Sequence, residues 1–222
     1  MRYLIAIVTI GLLLSCNEDK EIDPLDLGYD YYPIELGQYR IYDVYEIIYK
    51  LDNDTSIYQL RETIFDSIVS NDQVDYLIRR DIRSTPQDPW KSDSVWTVTM
   101  NQNFLSIKEN NIPFIKLSFP VEISSTWDGN GLNTKNTATY SYSVADSILV
   151  DSISLQNHVK VVISDIPENI VNRDERIEIY ARGIGLVQKH YWTLEFCTAS
   201  CEEFGEITSG RFLNQVLIEA GE

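Results

Sequence analysis

From residue 36 onward the chain alternates apolar and polar side chains with a period of two almost everywhere. Between Thr137 and Val144 the even positions are Ala138, Tyr140, Tyr142 and Val144 and the odd ones carry hydroxyls, the pattern of an antiparallel strand with one buried face. Val159, Val161 and Ile163 repeat it, as do Trp96, Val98 and Met100 against Thr97 and Thr99. Ile177, Ile179 and Ala181 alternate with Arg176, Glu178 and Arg182, which assigns the isoleucines to a buried face. The runs Gln38 to Leu51 and Ile57 to Val69 predict long, twisted strands. Turn chemistry separates these segments at Asp52-Asn53-Asp54, Asn71-Asp72, Asn101-Gln102-Asn103, Glu109-Asn110-Asn111, Asp128-Gly129-Asn130-Gly131 and Pro167-Glu168-Asn169. No capped stretch has a helical period. Even Ser56 to Ser70 is rich in Ile, Tyr, Thr, Phe and Val, which suit a pleated surface. The expectation is an all-β domain made of a single antiparallel, strongly curved sheet of about ten strands, a half-barrel or barrel.

The first residues follow another rule. Arg2 precedes an uncharged run from Leu4 to Leu14, too short for the roughly 20 apolar residues of a membrane-spanning helix and followed at once by acidic residues. It reads as a signal peptide over 1–15. Leu13-Leu14-Ser15-Cys16 resembles the lipobox of bacterial lipoproteins, in which the cysteine is acylated and becomes the first mature residue; Leu14 is bulkier than usual there. Residues 16–28, the candidate lipidated Cys16 and the acidic stretch from Asn17 to Asp23, read as an anchor and a linker to a domain over 29–222. An acidic cluster behind the lipidated cysteine resembles the surface-export signal of Bacteroidetes lipoproteins, and a plain solvated linker is equally open.

Charge narrows the partners. Removing residues 1–15 removes Arg2 and no acid, so 34 acidic against 17 basic residues leave a mature net charge near −17. Nucleic acid is excluded, because binding phosphates needs a basic stripe, and anionic lipid surfaces are repelled. Membrane residence would then come from acyl chains on Cys16. With Cys16 set aside, Cys197 and Cys201 remain, and in an oxidising envelope this pair predicts a short disulfide that pins a turn. A redox pair uses two intervening residues rather than three, and no nearby histidine completes a zinc set.

A short echo links Tyr32-Pro33-Ile34-Glu35-Leu36-Gly37-Gln38-Tyr39 with Phe119-Pro120-Val121-Glu122-Ile123-Ser124-Ser125-Thr126-Trp127. It reads as one local device used twice at strand entrances. Tyr31 to Tyr42 and Phe119 to Asn130, together with Tyr180-Ala181-Arg182-Gly183-Ile184-Gly185-Leu186-Val187, resemble a group of Bacteroidetes envelope lipoproteins that share an aromatic-proline strand lead-in and a late glycine-x-glycine-leucine-valine strand. The resemblance implies an all-β envelope protein, a half-barrel akin to lipoprotein carriers, and implies nothing about catalysis. Asp66-Ser67-Ile68, Asp93-Ser94-Val95, Asp146-Ser147-Ile148 and Asp151-Ser152-Ile153 are similar to the phylum's O-glycosylation tripeptide. That makes Ser67, Ser94, Ser147 and Ser152 candidates, with chance alternation equally open.

Catalytic signals are few. His158 and His190 are the only histidines, each within a strand-like segment, and no serine elbow, phosphate loop or zinc helix is present. Gly183-Ile184-Gly185 reads as a bulge or bend in a long strand. Asp128-Gly129-Asn130 and Asp52-Asn53-Asp54 begin like calcium loops but lack the later oxygen ligands, and read as turns. No metal or cofactor is implied. The leading expectation is a non-enzymatic, lipid-anchored protein of the outer membrane, on its periplasmic face or at the cell surface. It would bind a protein, glycan or lipid through an aromatic-rich sheet. The alternatives are a carrier of apolar ligands in a half-barrel cavity and an enzyme acting on glycans through a carboxylate pair.

Overall fold

A computed structural model describes residues 27–71, 73–144, 157–201 and 203–222, with the backbone alone at 149–150 and 153–154. The proposed signal peptide, Cys16, the acidic stretch, Ser147 and Ser152 lie outside the described residues. After a single 3-10 turn at Tyr29–Tyr31 the chain is built of strands: β1 (Tyr39–Tyr49), β2 (Asp54–Ser70), β3 (Gln73–Arg83), β4 (Lys91–Met100), β5 (Phe104–Glu109), β6 (Ile112–Ser118), β7 (Thr126–Asp128), β8 (Thr139–Ser143), β9 (Leu149–Val150), β10 (Ile153–Ser154), β11 (His158–Ile166), β12 (Asn172–Ala181), β13 (Gly185–Phe196) and β14 (Ile207–Gly221). Twelve of them form one antiparallel sheet in the order β6-β5-β4-β3-β2-β1-β14-β13-β12-β11-β8-β7, and β9 pairs with β10 alone. The fold class is as the alternation predicts, with more strands than the ten expected. The short β7 has too few residues to show a period.

The sheet curls until its two edges meet. The Ile115 N–H donates to the Gly129 carbonyl at 2.9 Å, and the Trp127 indole N–H to the Ile115 carbonyl at 3.0 Å. The Tyr142 hydroxyl both donates to the Ser118 carbonyl and accepts from its N–H, each at 2.8 Å. One backbone bond and several side-chain bonds thus nearly close a barrel, which removes the open edges a sheet would otherwise expose. Pro113 sits in β6, where an edge strand tolerates a missing N–H. Register shifts in β1–β14, β2–β3, β3–β4, β5–β6, β11–β12, β12–β13 and β13–β14 supply the local bends that curvature requires. The interior is packed with Tyr42, Val44, Leu60, Ile64, Ile78, Val98, Leu105, Leu117, Tyr142, Val161 and Tyr180, among others.

Residues 27–38 cover the upper end of the barrel, the end where β1 begins. Leu27 is already engaged, its carbonyl accepting from Val121 N–H at 3.0 Å, and Asp30 accepts through its carbonyl from Gly183 N–H at 2.8 Å. Arg40, fully buried, holds the segment in place: its Nε donates to Ile184 O at 2.5 Å and its Nη2 to Pro33 O at 3.0 Å and Gln38 Oε1 at 3.1 Å. The Tyr32 ring lies 4.6 Å from the guanidinium. Gly183-Ile184-Gly185, expected as a bend within one strand, is instead the turn between β12 and β13, with a register shift beside it at Ile179/Tyr180. Gly183 and Gly185 take left-handed φ angles of 73° and 101°, and the strand reverses direction between them.

The echoed segments share the turn that follows their prolines. Gln38 N–H donates to Glu35 O at 3.2 Å and Ser125 N–H to Glu122 O at 3.1 Å, with left-handed Gly37 (φ 97°) and Ser124 (φ 70°) at the same place in each turn. One turn leads into β1 and the other into β7, and Tyr29 meets Phe119 edge-on at 4.7 Å between ring centres. The echo is a reused turn at the upper end.

Candidate functional site

Two features inside this barrel carry chemistry. The first is a buried ionic cluster. Lys116 on β6 reaches across the interior to Glu178 on β12, Nζ to Oε1 2.9 Å, and to Glu109 on β5 at 2.8 Å. Lys189 on β13 lies 3.3 Å from Glu178 and 3.6 Å from Glu109. The Tyr180 and Tyr191 hydroxyls donate to the two Glu178 oxygens, each at 2.5 Å. Burial pushes the Glu178 carboxyl upward, but Lys116 and Lys189 with the two tyrosine bonds outweigh it and hold the group well below the carboxylate range. Lys116 is the mirror case: burial lowers it, and Glu109 and Glu178 overcome that and raise it well above the ordinary lysine value. Burial, reinforced by Glu178, pushes Tyr180 and Tyr191 well up.

Two lysines and two carboxylates balance, and Glu178 has no exposed surface. Glu178 is enclosed by both lysines and both tyrosine hydroxyls, so the cluster ties β5, β6, β12 and β13 together across the barrel interior. The alternation in β12 points the other way, with the isoleucines inward. In the structure Glu178 pairs in register with Val161 and Lys189 on the inner face, while Ile177 stands opposite His190 on the outer face. Ile179 is nonetheless covered, so both faces of the strand are buried over its last four residues. The available signal was Lys116, a single cation in the apolar run Ile112 to Phe119.

The second feature is a groove at the upper end, a cavity of about 850 Å³. Its floor is apolar and half-buried, formed by Tyr29, Ile34, Val74, Tyr76 and Met100, with Tyr32 buried beneath. The amides Asn71, Gln73, Asn101 and Gln102 form an exposed rim. The elements that position it are the 27–38 segment, the β2–β3 turn and the β4–β5 turn. The Tyr29 hydroxyl donates to the Gln102 carbonyl at 3.2 Å and ties the first to the last. Asn101 Oδ1 caps the β4–β5 turn by accepting from Asn103 and Phe104 N–H at 2.8 and 3.0 Å. Among the described residues Asp30 is the one carboxylate in the lining, ion-paired to Arg182 at 2.5 Å. Burial, opposed in part by Arg40, pushes the Tyr32 hydroxyl up to about 12. A volume of this size suits a small amphipathic ligand.

The remaining sequence candidates lie elsewhere. Cys197 and Cys201 are bonded, with sulfurs 2.09 Å apart, in the loop between β13 and β14 at the opposite end. Ser67 lies partly exposed in β2, its N–H bonded to Asp66 Oδ1 at 2.8 Å. The Ser94 hydroxyl donates to Asp93 Oδ2 at 2.8 Å. His190 packs on the outer face against Trp192 and Phe212, and His158 begins β11. Asp128 Oδ1 accepts from Asn130 and Ala138 N–H at 2.9 and 3.0 Å, an internal turn rather than a cation loop. Asn53 Oδ1 likewise accepts from Lys50 N–H, 3.2 Å. Among the described residues no group of three or more His, Cys, Asp or Glu is placed to hold a metal ion.

No family model matches this chain, and no curated protein matches it. A solved structure does resemble it. That structure, a Bacteroides fragilis NCTC 9343 protein described as exported and of YMCC-like fold, is 12% identical, covers 86% of this chain and 98% of its own, and superposes with a TM-score of 0.42.

Proposed function

We propose that this chain is a lipid-anchored envelope protein with a binding role rather than a catalytic one, and that the upper groove is its binding site. The groove itself is the observation that carries the reading: an apolar, half-buried floor under an exposed amide rim, on a barrel whose central core is packed with its own side chains. That filled interior argues against a carrier holding its cargo along the barrel axis and leaves the groove as the place for an apolar ligand. A glycan-cleaving enzyme needs two carboxyl groups facing one cleft, and among the described residues the groove offers one carboxylate, Asp30, paired with Arg182. The anchor at Cys16, outer-membrane residence and absence of nucleic-acid partners rest on the signal-peptide pattern, the lipobox and the acidic composition.

The test is titration of the mature domain, Cys16 replaced by serine, with the neutral apolar dye Nile red. Saturable enhancement lost in both Val74→Trp and Met100→Trp, with folding of each variant verified by circular dichroism, is the expected result. Enhancement that is absent, or unchanged in both folded variants, overturns the groove as a binding site.

A further inference from the structure

We infer that the groove takes an acyl lipid whose head group carries no net charge. The inference rests on the groove being a ligand site, and it deepens that reading by assigning the ligand's chemistry.

The lining is divided as an amphipathic ligand is divided. Ile34, Val74 and Met100 offer only carbon and thioether surface, and Tyr29 and Tyr76 add ring faces, all half-buried. An alkyl chain placed there leaves water without requiring any hydrogen bond, which is the favourable direction for apolar surface. The rim is made of side-chain amides, which can donate and accept; Asn101 Oδ1 is taken by the β4–β5 turn and the Gln73 amide donates to Asp75 Oδ1 at 2.7 Å, so Asn101 meets a ligand through its NH2 and Gln73 through its carbonyl, beside Asn71 and Gln102. Ester, hydroxyl and amide groups of a neutral head match such a rim.

Charge selects among heads. Among the described residues the lining contains no lysine, arginine or histidine, and its one carboxylate is engaged by Arg182. The full chain carries a net charge of −16. An anionic head would therefore be stripped of water beside a negative protein with no counter-charge, and a cationic head would find Asp30 already paired.

The groove's place in the molecule points to a membrane source for the ligand. It opens on the end where the chain leads back toward Cys16. Leu27, the first described residue, follows Cys16 by eleven positions, a span of at most about 40 Å even when fully extended. Exposed aliphatic side chains such as Leu36 and Ile123 at this end and Leu51 and Ile170 at the other do not distinguish the two ends; the origin of the chain does. A neutral oligosaccharide would also match the amides and tyrosines but leaves the three aliphatic and thioether side chains without a counterpart.

The experiment measures binding of four probes to the mature chain carrying Cys16→Ser at pH 8: a monoacylglycerol, the free fatty acid and the lysophosphatidylglycerol of the same chain length, and a neutral oligosaccharide. The expected result is monoacylglycerol binding at least tenfold tighter than either anion, with Gln102→Lys recovering most of the fatty-acid affinity. Anionic lipids binding as well as the neutral one, or the oligosaccharide binding in preference to all three lipids, overturns the inference and leaves the groove as a binding site. No binding of any probe, together with failure of the Nile red titration, brings down both readings.

Discussion

Lys116 and Glu178, sixty-two residues apart in the chain, meet at 2.9 Å inside the barrel, the lysine coming from the edge strand β6 and the carboxylate from β12. The pair spans the seam where the sheet closes. A buried pair is weak evidence of net stability, because taking both charges out of water offsets much of their attraction, but removing one member leaves the other stranded.

Glu178→Gln is therefore expected to destabilise the barrel by about 3–5 kcal/mol, and Lys116→Met by a similar amount. The double variant should cost clearly less than the sum of the two, because it leaves fewer uncompensated charges. Urea unfolding of the three variants measures this; an additive double variant would show that the residues do not act as a pair.

Acid should weaken the protein through this cluster. The Glu178 carboxyl is held below its ordinary value of 4.5, so its contribution is fully present above that value and is lost as pH falls through the folded-state value. Lys116 is raised above 10.5, so its contribution is present below that value and is lost as pH rises through the folded-state one. Stability measured from pH 5 to pH 3 should fall more steeply in the wild type than in Glu178→Gln. Equal slopes would remove Glu178 from the acid response.

Gly185→Ala should destabilise the upper end by about 2 kcal/mol or more. Gly185 has φ 101°, and a Cβ there would stand 2.6 Å from Arg40 Nε, the group that ties residues 33–38 to the β12–β13 turn. A reduced melting temperature, with faster hydrogen exchange at Gln38 and Tyr39 amides, is the expected outcome. Gly183→Ala is the comparison, since an added Cβ there meets nothing within 4 Å and only the backbone conformation is strained.

Replacing Cys197 and Cys201 by serine should cost no more than about 2 kcal/mol, because the loop they close is short. The turn keeps other ties: Cys197 N–H donates to Glu206 O at 2.8 Å and Gly205 N–H to Cys197 O at 3.0 Å. Calorimetry of the double variant checks it, and loss of folding would show that the disulfide holds more than this turn.

The sheet was legible in the sequence because alternation survives wherever one face meets the core and the other meets water, as in β8 and β11. It misassigned β12, where Ile179 and Glu178 are both buried and polarity no longer separates inside from outside. Barrel closure was not legible at all, since it depends on Tyr142 meeting Ser118 and Trp127 meeting Ile115, contacts that leave no periodic trace. The groove was hidden for the same reason. Its lining comes from the Tyr29 to Ile34 lead-in, from Asn71, Gln73, Val74 and Tyr76 around the β2–β3 turn, and from Met100, Asn101 and Gln102 after β4, and only the closed sheet brings them together.

Native mass spectrometry of the mature chain with Cys16→Ser, expressed in the envelope and recovered without detergent, tests the central claim most directly. A discrete added mass of lipid size on the wild-type groove, absent from folded Met100→Trp, is the predicted result. A bare protein mass for both, or the same adduct on both, would contradict a ligand-binding groove at the barrel's upper end.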